Sequence, residues 1–153
     1  MLFRSTDDGT TILNEEVVRK AGLSQQQINY QVSRVRAGIR DRSLLYHRDR
    51  PPVAISGRTV IIVDDGLASG YTMRAAVASV RYRNPEKIIA AVPVGPETVV
   101  RELEQVADKV VTCAVGSMPK FYLSDFYRYW HDISDGEALN CLKEWRMRRY
   151  GSK

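Results

Sequence analysis

The residues best placed to do chemistry are Asp64 and Asp65. They follow the apolar run Val60-Ile61-Ile62-Val63 and precede Gly66-Leu67-Ala68-Ser69-Gly70-Tyr71-Thr72. A short β-branched run of this kind reads as a buried strand. The small residues after it read as a turn, and a helix is expected to open at about Thr72. Two acids at the carboxyl end of a parallel strand lie where open α/β sheets bind their ligands. Carboxylates accept hydrogen bonds from sugar hydroxyls, and the amides of a turn and a helix N-terminus suit a phosphate. Gly66 and Gly70 permit backbone conformations that aim N–H groups inward. Ser69 and Thr72 add hydroxyl donors. The pattern points to a ribose phosphate.

Several elements must hold that segment in place. Upstream, Asn14 can cap a short helix through Lys20, with Gly22 as its stop. Ser24 starts a longer helix, with Gln27 as its capping-box partner. Ile28, Val32, Val35, Ile39 and Tyr46 form one narrow apolar stripe on it, which suits packing on the core or on a second copy of the chain. Pro51-Pro52 ends any helix there. Downstream, the Ala-rich helix from about Thr72 to Arg81 suits close packing on a sheet. Lys87–Pro93 and Lys109–Val115 read as further buried strands, with a helix from Pro96-Glu97 to about Ala107 between them. Ser124–Arg149 reads as one or two helices, with Ser134 and Glu137 as a second capping box. Alternating strands and helices mean right-handed crossovers and a parallel sheet. The fold class is α/β, a parallel sheet flanked by helices in one domain over residues 1–153. Before Val60 little looks like a buried strand; Thr10–Leu13 offers at most a short edge.

Composition bounds the rest. The chain has 153 residues, 44% hydrophobic and 27% charged, enough for one domain with a real core. No window approaches the roughly 18 apolar residues of a membrane span, and the first residues lack the apolar centre of a signal peptide. A cytoplasmic protein is the expectation. Cys113 and Cys141 have no metal-ligand spacing and are expected as buried thiols without a disulfide. The net charge of +5 suits an anionic small molecule, and equally suits RNA or DNA. The basic residues gather at Arg34, Arg36, Arg40, Arg42, Arg48 and Arg50, and again at Lys143–Lys153.

Other phosphate motifs fail on spacing. Gly66 and Gly70 are too close for a P-loop, and Tyr71 stands where its lysine belongs. Gly-x-Gly-x-x-Gly is absent. A phospho-acceptor receiver domain requires a third Asp at the end of a later strand, but Pro93-Val94-Gly95 and Ala114-Val115-Gly116 carry none. Val60–Thr72 instead resembles the phosphoribosyl pyrophosphate signature of type I phosphoribosyltransferases, in which apolar residues precede two acids and a small-residue loop that ends at Thr. Asn14-Glu15-Glu16-Val17-Val18, Arg50-Pro51-Pro52, Gly57-Arg58-Thr59 and Ala91-Val92-Pro93-Val94-Gly95-Pro96-Glu97-Thr98 resemble the stand-alone members of unassigned substrate, some of them fused to a hydrolase domain.

The resemblance implies a type I phosphoribosyltransferase-like sheet with an N-terminal helical segment and a C-terminal helix. The implied ligand is phosphoribosyl pyrophosphate or a nucleoside monophosphate, with Mg²⁺ as cofactor. The implied reaction moves phosphoribose to a nitrogenous base and releases pyrophosphate. Asp64 and Asp65 would be catalytic, holding the ribose 2- and 3-hydroxyls directly or through Mg²⁺. Gly66, Leu67, Ala68, Ser69, Gly70, Tyr71 and Thr72 would wrap the 5-phosphate. Phe121 or Tyr122 would stack on the base.

Two departures shape the expectation. Ala68 stands where purine-salvage relatives place an Asp that handles the proton of the base. Upstream of Asp64 there is no apolar strand with a Gly-rich basic turn to bind pyrophosphate, so the chain reads as N-terminally short. Arg48 and Arg50 could fold over a pyrophosphate instead, and His47 is an acid-base candidate. A homodimer is expected. An alternative is a non-catalytic module that senses phosphoribosyl pyrophosphate or a nucleotide while Arg34–Arg42 contacts nucleic acid or a partner protein.

Overall fold

The computed structural model describes residues 3–6, 8–47, 53–118 and 120–150. Arg48, Arg50, Pro51 and Pro52 lie outside the described residues. The chain opens with a hairpin of β1 (Phe3–Ser5) and β2 (Thr11–Leu13), then α1 (Glu15–Lys20) and α2 (Gln25–His47). The βαβαβ unit follows as β3 (Thr59–Val63), α3 (Tyr71–Arg81), β4 (Lys87–Pro96), α4 (Glu97–Glu104) and β5 (Lys109–Gly116). A short 3-10 turn, Leu123–Phe126, leads to α5 (Asp135–Tyr150).

The sheet order is β3-β4-β5, and both pairings are parallel. Val60 sits opposite Ile88 and Val63 opposite Ala91. Strand periodicity decides which side chains become core. Ile88, Ala90 and Val92 of β4 are buried against Met73 and Val77 of α3 and Val100 and Leu103 of α4. Leu67 and Ala107 are buried in the same interior. The other side of the sheet is different. Ile61 is 60% and Val63 is 73% exposed, and Val111 and Val115 are also exposed. Parallel sheets are ordinarily covered on both faces. Among the described residues, β3 pairs on one edge only, in line with the lack of an upstream strand signal.

The helix ends follow their local signals. Asn14 accepts from the Val17 N–H at 3.1 Å. Ser24 and Gln27 exchange backbone–side-chain bonds at 2.9 and 3.3 Å. Ser134 and Glu137 do the same at 2.8 and 3.3 Å. The stripe on α2 is only partly used within the chain: Ile28 is buried, whereas Val35 is exposed. The two cysteines correct an expectation. Cys113 and Cys141 are free, as expected, but both are exposed. Cys113 lies on the open face of β5, and α5 buries too little of itself to cover Cys141.

The β1–β2 hairpin has a function in the packing that its sequence did not announce. It lies on α3, so α3 is held between sheet and hairpin. Asp8, in the hairpin turn, accepts hydrogen bonds from the Ser79 and Thr6 hydroxyls and from the Thr10 N–H. Arg36 of α2 donates to Gly9 O from the other side. Burial works against the Asp8 charge, but the bonds from Ser79, Thr6 and Thr10 prevail and hold its carboxyl well below the usual carboxylate range. Such a carboxylate stabilises the fold above its unfolded-state pKa, and the contribution fades as pH falls through the lower folded value. Urea unfolding should therefore show stability falling below about pH 4. Asp8→Asn should cost about 1 kcal/mol at neutral pH and flatten that acid limb.

Candidate functional site

The carboxyl end of β3 is held open by its neighbour. β4 continues five residues past the last β3 pair, from Val92 to Pro96, and the loop is stitched to that extension. Asp64 N–H donates to Ala91 O at 3.3 Å and Leu67 N–H to Val94 O at 2.8 Å. Leu67 is 2% exposed and anchors the loop in the core. The Asp65 carbonyl receives the Tyr127 hydroxyl at 2.6 Å, and the Asp65 N–H bonds Asp64 Oδ1 at 3.1 Å.

The two glycines act in different ways. Gly70 has φ +71°, a left-handed conformation, and a Cβ there would lie 2.5 Å from Val99 Cγ1 of α4. Gly66 does not have positive φ. Its need is close packing: a Cβ would lie 2.3 Å from Leu123 Cδ2 and 3.1 Å from Val94 O. Gly70 is also the N-cap of α3. The first intrahelical bond runs from Arg74 N–H to Gly70 O at 2.9 Å. The Tyr71, Thr72 and Met73 N–H groups therefore have no carbonyl within the helix, and the positive end of its dipole points out of the loop.

Together these elements enclose a cavity of about 200 Å³. Asp64, Asp65, Gly66, Leu67, Ala68, Ser69, Gly70 and Thr72 line it, with Met73, Leu123 and Arg4. Of the predicted acid and loop residues only Tyr71 stands aside, with the Arg74 guanidinium 5.8 Å from its ring centre. Asp64 is half-buried and Asp65 exposed. Burial pushes the Asp64 carboxyl up, and the neighbouring Asp65 charge adds to the rise. Among the described residues neither acid is ion-paired with an arginine, and no cluster of three or more acids, histidines or cysteines forms a metal cage. Two adjacent carboxylates in mutual repulsion still fit Mg²⁺, which takes one or two carboxylates and completes its shell from ligand oxygens and water.

Sequence reading misses three contributors. Arg4 of β1 reaches across to Thr72, its Nε donating to Thr72 Oγ1 at 2.8 Å. Nothing near Arg4 in the sequence marks it. Leu123 closes one side of the cavity, and Tyr127 braces the acid pair. The aromatic segment is plain in the sequence, but the expected stackers lie elsewhere. Phe121 stacks on Phe126 with ring centres 4.9 Å apart, and Tyr122 is exposed; neither borders the cavity. His131 is exposed, with Nε2 3.9 Å from Glu137 Oε1. On α2, Arg36 is tied to the hairpin and Arg42 lies 3.8 Å from Asp135.

The family model for the phosphoribosyl transferase domain matches residues 10–123, which include this whole loop. The chain belongs to that family. Two Mycobacterium tuberculosis proteins, from strains CDC 1551 and H37Rv and provisionally named phosphoribosyl transferases, are each 32% identical over 136 residues. The match takes in 89% of this chain and 30% of each relative's length. The chain therefore spans under a third of those relatives. Among solved structures, the crystal structure of TT1426 from Thermus thermophilus superposes with a TM-score of 0.72 at 30% identity, covering 94% of this chain and 67% of that one. No helix among the described residues is long and apolar enough to cross a membrane.

Two outcomes test this geometry. Gly70→Ala should lower stability by roughly 1–2 kcal/mol, because alanine resists the left-handed conformation, and displacement of Val99 adds to the loss. Asp64→Asn should raise the thermal midpoint at neutral pH. A raised carboxyl penalises the folded state above its folded pKa and ceases to do so below the ordinary value near 3.8, so the amide removes the penalty. Calorimetry at pH 7 and near pH 3 should show the two proteins diverging only at the higher pH.

Proposed function

We propose that this phosphoribosyl transferase-family chain binds phosphoribosyl pyrophosphate by its ribose 5-phosphate part, with Mg²⁺, and transfers phosphoribose to a nitrogenous base. One observation carries the reading: a single cavity is lined both by the acid pair that ends β3 and by the loop and helix N-terminus that follow. The acids suit the 2- and 3-hydroxyls, and the amides after Gly70 suit the 5-phosphate. Asp64 and Asp65 would hold Mg²⁺ together with ligand oxygens, and the bound cation would neutralise charge on those oxygens.

In the proposed reaction the base nitrogen forms a bond to ribose C1. The bond from C1 to the pyrophosphate oxygen breaks, and its electron pair leaves with pyrophosphate. The base gives up its proton to solvent, since Ala68 offers no carboxylate at the mouth of the loop. Positive charge gathers at C1 as the leaving group departs. Carboxylates fixed nearby stabilise that charge more than they stabilise the ground state. Buried Leu67 and the Val94 contact keep the loop in place while this happens. The same pocket serves a sensing module equally well, and turnover separates the two: a sensor binds the ligand and releases no pyrophosphate.

Isothermal titration with phosphoribosyl pyrophosphate, with and without Mg²⁺, is the direct test. The wild type should bind, more tightly with the cation. Asp64→Asn combined with Asp65→Asn should weaken binding by about tenfold or more, from loss of charge-assisted hydrogen bonds. A wild-type protein that takes up no ribose phosphate under either condition would refute the proposal.

A further inference from the structure

Among the described residues the cavity wall carries one cationic side chain, and it comes from far away in the chain. Among the residues that line it, Arg4 is the sole arginine or lysine, beside two carboxylates. Arg4 sits in the middle of β1, opposite Ile12, and is half-buried. Its Nε is fixed on Thr72 Oγ1 at 2.8 Å, in the first turn of α3. Elsewhere the arginines that approach acids close on them. Arg81 lies 3.0 Å from Asp108 and Arg74 lies 3.5 Å from Glu102. Arg4 behaves otherwise. It lies close enough to Asp64 for its charge to be felt there, yet it forms no ion pair with either acid. Among the described residues its two terminal nitrogens donate to nothing.

That arrangement has a physical reading. A guanidinium held by Nε keeps a fixed plane and presents both terminal nitrogens as a fork. The fork matches two oxygens of a phosphoryl group. The bond to Thr72 orders the side chain in advance, so less freedom is lost when an anion arrives. The bond also sets the fork beside the unpaired amides that open α3. Without Arg4, the described wall of the cavity sets two carboxylates against only the partial positive charge of the α3 amides.

We propose that Arg4 is the phosphate-gripping cation of this pocket. It selects phosphorylated pentoses over their unphosphorylated counterparts, and it makes the N-terminal hairpin part of the binding site. This inference rests on the ribose-phosphate reading of the cavity. The hairpin is then not only packing for α3. Its docking through Asp8 and Ser79 sets where Arg4 stands.

Ribose 5-phosphate is the probe. By titration calorimetry, Arg4→Gln should bind it about ten- to a hundredfold more weakly than the wild type. Arg4→Lys, which keeps the charge and loses the fork, should fall between. A merely structural tether predicts a similar loss of affinity, so a second readout is needed. Phosphorus NMR follows the second ionisation of the bound phosphate across pH 5 to 8. Direct contact with Arg4 favours the dianion and holds the midpoint below that of the free sugar phosphate. In Arg4→Gln the midpoint should move back toward the free value. Weaker binding with an unmoved midpoint would overturn the proposal, as would unchanged affinity in Arg4→Gln, and either result leaves the cavity reading standing. No binding of ribose 5-phosphate by the wild type would remove both. Should Arg4→Gln fail to fold, Arg4→Lys carries the same two readouts.

Discussion

The arrangement depends on the parallel register of β3 on β4. It sets Val63 beside Ala91 and so releases the chain at Asp64 while β4 still has five residues to run. The loop does not hang free at that point. It follows the β4 extension, bonded at Ala91 and Val94, with Leu67 pressed into the core. Two acids that repel each other are thereby held side by side at a strand end. The cost is visible in the raised Asp64 carboxyl. Stability taken from the buried β4, α3 and α4 surfaces offsets it. Shift β3 by one residue and every side chain on it changes face. The acids would then leave the cavity and Ile61 would enter the core.

What the sequence made legible was local or repetitive. Asn14, Ser24 with Gln27, and Ser134 with Glu137 cap their helices as their spacing implied, because a cap needs only three or four neighbouring residues. The strands at Thr59, Lys87 and Lys109 showed through their unbroken apolar runs. The acid–loop–helix order at Val60–Thr72 carried the family. It was readable because strand, turn and helix signals fall next to one another.

What stayed hidden was long-range. Arg4 and Thr72 are far apart in sequence, and a single arginine in a weak edge strand carries no pattern. The hairpin shows in the sequence only as a possible edge at Thr10–Leu13, since three-residue strands hold too few side chains to show a period. Cys113 misleads because a β-branched run ordinarily implies burial on both faces. One face of β5 is open, and Cys113 is on it. Gly66 suggests conformational freedom by its type alone. Its actual role, room for Leu123, depends on a contact that only the folded chain brings about.

Among the described residues one side of the sheet is left bare, and that bears on how copies of the chain meet. Among the described residues, Ile61, Val63, Val111 and Val115 are exposed apolar side chains on a sheet whose β3 pairs on one edge only. Copies brought close together therefore meet through apolar surface. A surplus of +5 keeps neighbours apart, and added electrolyte shortens the reach of that repulsion to about 8–10 Å. Concentration and ionic strength thus both bear on how readily copies of the chain meet.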